Sequence, residues 1–342
     1  MGKKVGKIVL KVLAILGVTV ALLLCLVLGI CYVLIHGPSE AAKNQFVCAL
    51  NESSAMGFVA RIYLSEAEVN AILNNTGIIE VEDGTVSDPD LINIGDTEDE
   101  NGETEETEDI ELVEITGTTY RGYMLIIKDP TRVYLGTVPT FYEGSGMTVQ
   151  EMAEADGAIA GINGGEFFDA GSYSYSALPE GIVIKDGELI FGSAGTTCNV
   201  TGLTEDGVLV IGKMTGQEAL DMGLKYALHT KYTTGPFLII DNEVQVVPDT
   251  SVYGGGKNPR TAIGQRADGA ILLLVVDGRQ ANSIGATFEE LAYIMKEYGA
   301  VNASAMDGGT STQMYYEGAV VNSPYSPTGP RRCPTCWLVS AE

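Results

Sequence analysis

The chain is poor in bases, in histidine and in tryptophan. Its 342 residues carry 20 Lys and Arg against 45 Asp and Glu, a formal charge of −25. That deficit argues against a nucleic-acid partner, because phosphate backbones are held by Lys and Arg clustered on one face. His36 and His229 are the only histidines. A histidine-based triad would rest on His229 alone, with no Gly-x-Ser-x-Gly elbow beside it, and a metal-dependent phosphodiesterase would call for a richer ligand set. Cys333 and Cys336 have redox spacing but enter an apolar run rather than opening a helix, and no second such pair completes a four-ligand zinc site. A local disulfide or two unpaired thiols is the reading there. Glycine is abundant, at 42 residues, and apolar residues make up 45% of the chain, which excludes wholesale disorder.

The charge is unevenly spread. Residues 1–36 hold Lys3, Lys4, Lys7 and Lys11 and no acid, and they lead into 24 residues, 12–35, with no charge at all. A helix of that length spans a bilayer core of roughly 30 Å. The preceding lysines place the N-terminus in the cytoplasm and the rest of the chain outside, in a single-pass cell-membrane topology. A cleaved signal peptide is the alternative, but its apolar region is usually shorter. Ser65 and Glu68 form a capping box ahead of Val69, Ile72 and Leu73, which predicts a short juxtamembrane helix. From Glu80 to Tyr120 there are sixteen acids and no base. The run 96–111 fails the spacing test for a calcium loop and reads as a disordered, self-repelling tether. The expected organisation is therefore a basic tip and anchor (1–36), a juxtamembrane segment (37–79), an acidic flexible linker (80–119) and a folded domain (120–342).

Within that domain Asp-Gly pairs at 186, 206 and 268 interrupt alternating apolar runs, a strong hairpin signal. Helices are few. The clearest starts at a Thr287/Glu290 capping box and stops at Gly299. The pattern predicts an α+β fold, a mixed β-sheet domain with few helices behind one transmembrane helix and an acidic disordered linker.

Chemistry is sought where this grammar breaks. The run 271–276 is too uniformly apolar for a half-exposed strand and ends in Asp277-Gly278-Arg279. Thirty residues and one helix later another strand ends in Asp307-Gly308-Gly309-Thr310-Ser311. That spacing suits a strand–helix–strand unit, with both carboxylates at the same end of neighbouring parallel strands. A third strand end, Asn163-Gly164-Gly165-Glu166, and an arginine behind the glycine run 254–256, Arg260-Thr261, complete an inventory of carboxylates, arginines, an amide and glycine turns suited to an anion. Glu166 and Asp169 equally suit caps or solvated loop residues.

INGGEFFD (162–169), NPRTAIG (258–264), LLLVVDGR (272–279), the block 285–314 and the tail 322–339 together resemble the phosphodiester glycosidase domain family over roughly residues 120–340. Two departures stand out. Glu166 interrupts the usual Asn-Gly-Gly-Phe-Phe, and the aspartate turn reads Gly-Gly-Thr-Ser. The resemblance implies hydrolysis of a sugar-1-phosphate linkage, as in a family that includes the uncovering enzyme and bacterial exopolysaccharide-related proteins, and it implies no cofactor. It assigns Asp307 and Asp277 as the carboxylate pair. Arg260, Arg279, Asn163, Gly164, Gly165, Gly308, Gly309, Ser311 and Thr261 become the substrate and phosphate contacts, with Glu166 and Asp169 as lesser candidates. Whether a metal sits among these acids stays open, as does a non-catalytic carbohydrate-binding role on the same fold.

Overall fold

The computed structural model describes residues 2–52, 56–75, 77–95, 109–142, 144–170, 173–245, 256–326 and 329–341. The N-terminal helix α1, Gly2–His36, contains a stretch, Val5–His36, long and apolar enough to cross a membrane. Three short helices follow: α2 (Glu40–Asn51), α3 (Gly57–Tyr63) and α4 (Glu66–Leu73). The predicted capping box closes on α4, where the Ser65 hydroxyl accepts from the Glu68 N–H and the Glu68 carboxylate accepts from the Ser65 N–H. These helices share an apolar cluster with the end of α1, built from Cys31, Ile35, Val47, Leu50, Val59, Leu64 and Val69. The Tyr63 hydroxyl also donates to the Leu28 carbonyl at 2.9 Å. Residues 37–79 thus hold three helices tied to α1, where the sequence suggested one.

The domain is a mixed, sheet-rich α+β unit. Its seven-stranded sheet runs in the order Ile110–Thr116, Arg121–Ile127, Ile271–Val276, Arg260–Arg266, Ala300–Ala305, Phe237–Ile240 and Glu243–Val244, every neighbouring pair antiparallel. A five-stranded sheet carries the 183–230 hairpins, and another joins Ala160–Asn163 to Met314–Tyr316 and Thr335–Val339. The run 271–276 explains itself here. Ile271, Leu273 and Val275 enter the core shared with the other sheets, alongside Leu203, Ile162 and Trp337. Leu272, Leu274 and Val276 pack under the helix Phe288–Glu297 against Phe288, Leu291 and Met295. Both faces are dry, so alternation is absent.

Two expectations need correction. Ile271–Val276 and Ala300–Ala305 do run in the same direction, but they are not neighbours: each pairs antiparallel with Arg260–Arg266, which lies between them. The hairpin turned at Asp268-Gly269 inserts that strand, and the helix 288–297 crosses over it. The flanks of the acidic stretch also belong to the domain. Val86 bridges Gly212, the Ser87 N–H donates to the Ile211 carbonyl at 2.9 Å, and Ile110–Thr116 forms a sheet edge. Residues 96–108 of the linker lie outside the described residues.

Candidate active site

A cleft of about 420 Å³ opens where the ends of the two large-sheet strands meet the loop after Ala160–Asn163. That volume suits a small molecule or a sugar residue. Its lining includes Glu52, Glu166, Asn258, Arg260, Arg279, Asp307, Gly308, Gly309, Thr310, Ser311 and Arg331.

The register of the sheet places the central pair. Ala262 faces Ala305, and the Met306 N–H donates to the Thr261 carbonyl at 2.8 Å, which carries Asp307 alongside Arg260. Asn163 forms the floor. Its Oδ1 accepts from Thr261 Oγ1 at 2.8 Å and from the Gln313 N–H at 3.2 Å, while its Nδ2 donates to the Asp307 carbonyl at 2.6 Å. The Asp307 N–H donates to the Gly164 carbonyl at 3.2 Å. Asn163 and Thr261 therefore orient the Asp307 turn from below and do not line the cleft.

Gly164 and Gly165 are absent from the lining as well. A Cβ on Gly165 would stand 2.2 Å from the His229 carbonyl, so this glycine permits close packing of the loop on the strand Leu224–Thr230. Gly309 does belong to the cleft. It sits at φ +64°, and the Arg279 guanidinium lies 3.3 Å from where its Cβ would project.

Glu166 is where the loop delivers chemistry. Its side chain is buried, and Thr234 Oγ1 donates to Oε1. Burial, reinforced by the nearby charge of Asp307, pushes its carboxyl up to about 8, against the opposing effects of the Thr234 hydrogen bond and Lys231. Glu166 is therefore neutral at neutral pH and can donate a proton.

The cleft also carries three arginines. Arg260 is almost fully buried, with its guanidinium 3.7 Å from the centroid of the Phe288 ring. Its Nε donates to the Ala286 carbonyl at 3.1 Å and its Nη2 to the Gly256 carbonyl at 2.6 Å. Arg279, at φ +57°, donates through Nε to Asn258 Oδ1 at 3.1 Å, and burial pulls its pKa below the ordinary guanidinium value. Arg331 stands 5.2 Å from the Phe167 ring centroid and donates to Thr310 Oγ1 at 3.3 Å.

Asp277 is not brought to the cleft. Its carboxylate accepts from Asn322 Nδ2 at 2.9 Å and from the Ser323 N–H at 3.0 Å, so it fastens the 322–323 segment to the strand end. Burial raises its pKa while those bonds lower it. The carboxylate beside Asp307 is instead Glu166. The side chain of Asp169 lies outside the described residues, as do Gly254 and Gly255. His229 is used structurally, its Nδ1 facing the Asn199 carbonyl at 3.1 Å. Cys333 and Cys336 are buried, unpaired thiols. Among the described residues, no cluster of three His, Cys, Asp or Glu side chains is placed to hold a metal ion.

Sequence reasoning missed Glu52, Asn258, Thr234 and Arg331. Asn258 and Arg331 stand inside blocks already singled out, NPRTAIG and the tail 322–339, whereas Glu52 and Thr234 sit in segments with no pattern of their own.

The phosphodiester glycosidase family profile matches residues 156–340, more than half of the chain and all of the cleft except Glu52 and Met56. The chain belongs to the phosphodiester glycosidase family. Mouse N-acetylglucosamine-1-phosphodiester alpha-N-acetylglucosaminidase is 26% identical over 223 residues, which cover 61% of this chain and 42% of that protein. The SPbeta prophage-derived uncharacterized protein YomE of Bacillus subtilis is 28% identical over 199 residues, 57% of this chain and 29% of that one. This chain thus spans less than half the length of these curated relatives. The zebrafish N-acetylglucosamine-1-phosphodiester alpha-N-acetylglucosaminidase catalytic domain, solved auto-inhibited by pro-peptide, shares the fold. Its TM-score is 0.57 at 20% identity, covering 69% of this chain and 85% of that one.

Proposed function

We propose that this phosphodiester glycosidase hydrolyses a glycosyl phosphodiester at the outer face of a membrane, on a surface glycopolymer such as an exopolysaccharide. One observation carries the reading: a neutral buried carboxyl, Glu166, shares a cleft with the carboxylate-bearing Asp307 and three arginines. The arginines suit the phosphate, and the acid pair suits the sugar.

In this mechanism the phosphate lies against Arg260, Arg279 and Arg331, where planar guanidinium forks match its oxygens. The bond between the anomeric carbon and the phosphate oxygen breaks. Asp307 faces the developing positive charge on the sugar ring and guides the attacking water. Glu166, protonated at neutral pH, supplies the proton that ends on the departing phosphate monoester, while water provides the hydroxyl left on the sugar and gives its other proton to the Asp307 carboxylate; release of that proton to solvent and reprotonation of Glu166 reset the pair. A phosphate monoester leaves readily, so electrostatic holding of its charge carries much of the acceleration. Asn163 and Thr261 act from beneath by fixing the Asp307 turn. The apolar N-terminal helix and the lysines before it, Lys3, Lys4, Lys7 and Lys11, support a cytoplasmic N-terminus with the domain outside the cell.

The test is hydrolysis of UDP-N-acetylglucosamine, or a simpler sugar-1-phosphodiester, by the full chain in detergent and ¹⁸O water. Label in the sugar supports the reading. Label in the phosphate means P–O cleavage, and no turnover with any sugar phosphodiester means a binding role; either overturns it.

A further inference from the structure

The anion cradle of the cleft is already filled, and it is filled from the N-terminal helices. Glu52, which follows α2, turns its carboxylate into the cleft, where its side chain is 14% exposed. One oxygen, Oε1, accepts from the Gly256 N–H at 2.8 Å. The other, Oε2, accepts from Asn258 Nδ2 at 2.8 Å and lies 2.7 Å from Arg260 Nη2. Two oxygens thus receive a backbone N–H, an amide and a guanidinium, the donor set that a phosphate would use. Arg279 is tied into the same group through Asn258.

Helix α2 is held close. A Cβ on Gly256 would lie 2.2 Å from the backbone nitrogen of Ala49, so this backbone contact leaves no gap. Behind it α2 shares its apolar cluster with the end of α1. Burial, followed by the repulsion of Glu52, pushes the Cys48 thiol up to about 12, as expected of a helix face shut away from water.

We infer that Glu52 is an intramolecular competitor for the phosphate subsite, a latch carried by the membrane anchor that must leave before substrate phosphate can enter. The inference rests on the phosphodiester reading of the cleft and concerns its regulation. Because α2 is packed on α1, the position of the domain relative to the anchor sets how often the cradle is vacant. The apparent affinity for phosphate is the intrinsic affinity reduced by the vacant fraction.

The experiment measures inorganic phosphate binding by calorimetry to the full chain in detergent, for wild type, Glu52→Gln and Ala49→Leu. The first variant weakens the competitor. The second lifts α2 from Gly256 by bulk alone, leaving every cradle donor and every charge in place. The latch requires phosphate affinity to rise at least tenfold in both. Unchanged or weaker binding in both overturns it and makes Glu52 a structural partner of Arg260. Tightening in Glu52→Gln alone also overturns it, since removal of a nearby negative charge then accounts for the effect. Phosphate binding needs no turnover, so the latch and the glycosidase reading fail separately. Tighter phosphate with no sugar phosphodiester hydrolysed in any variant retains the latch and removes the glycosidase. Equal hydrolysis and equal phosphate binding in all three does the reverse.

Discussion

Replacing Glu166 by Gln should stabilise the protein, by an amount that grows as pH rises from 4.5 towards 8. The carboxyl titrates near its ordinary value of 4.5 when the chain is unfolded and at about 8 in the folded cleft. A carboxyl whose pKa is raised by folding stabilises the folded state below the unfolded value, relative to high pH, and that advantage is lost as pH rises to the folded value. At about 1.4 kcal/mol per pH unit, the loss between pH 4.5 and 8 reaches at most roughly 5 kcal/mol, and about 3 kcal/mol of it has accrued by pH 7. Gln keeps an acceptor for the Thr234 hydroxyl and never ionises. The two proteins should therefore be of similar stability at pH 4.5, and the variant should be the more stable by several kcal/mol at pH 8, of the order of 10 °C in Tm for a domain of this size. Denaturation of both proteins in detergent across that range checks it. Apart from Asp307, which titrates together with Glu166, the acids titrate alike in both, so the difference isolates this pair. A stability difference that stays flat from pH 4.5 to 8 would refute the claim that burial beside Asp307 keeps this carboxyl neutral, and with it the role of proton donor.

Three further outcomes are expected. Asp307→Asn should retain the fold, by circular dichroism and melting, while the turnover of a sugar phosphodiester falls about a thousandfold or more; undiminished turnover removes Asp307 from the mechanism. Asp277→Asn should leave turnover within a few-fold of wild type yet cost about 1–3 kcal/mol in chemical denaturation, because its carboxylate is engaged by Asn322 and Ser323 and not by the cleft. Leu273→Ala, fully buried between sheets, should cost about 2–5 kcal/mol in the same assay.

Much of the fold was legible because it is written in local signals. The Ser65 and Thr287 capping boxes close as their spacing indicates. The Asp-Gly pairs turn hairpins, with Asp186 and Gly187 both at positive φ. The run 271–276 is central and dry on both faces. What misled was adjacency. Two strands joined through one helix suggest neighbours, but Arg260–Arg266 occupies the gap, and nothing within residues 271–307 announces it. The composition of the acidic stretch concealed Val81, Val86 and Ile92, which are few in number but anchor its first part to the domain.

For the site, residue types were readable and partnerships were not. Sequence alone determined that an apolar N-terminal helix precedes an acidic, glycine-rich, sheet-rich domain, that Asp307 stands at a strand end and Arg260 behind a glycine run, and that the motif blocks are those of phosphodiester glycosidases. Helical periodicity, turn chemistry and chain charge act over a few residues, so they survive in one dimension. Only the tertiary structure decided that Asp277 turns to Asn322, that Glu166 is the acid buried beside Asp307, and that Glu52, more than two hundred residues away in sequence, reaches Arg260. A buried charge is defined by whatever surrounds it in space, and those surroundings come from strands and helices brought together only when the core closes.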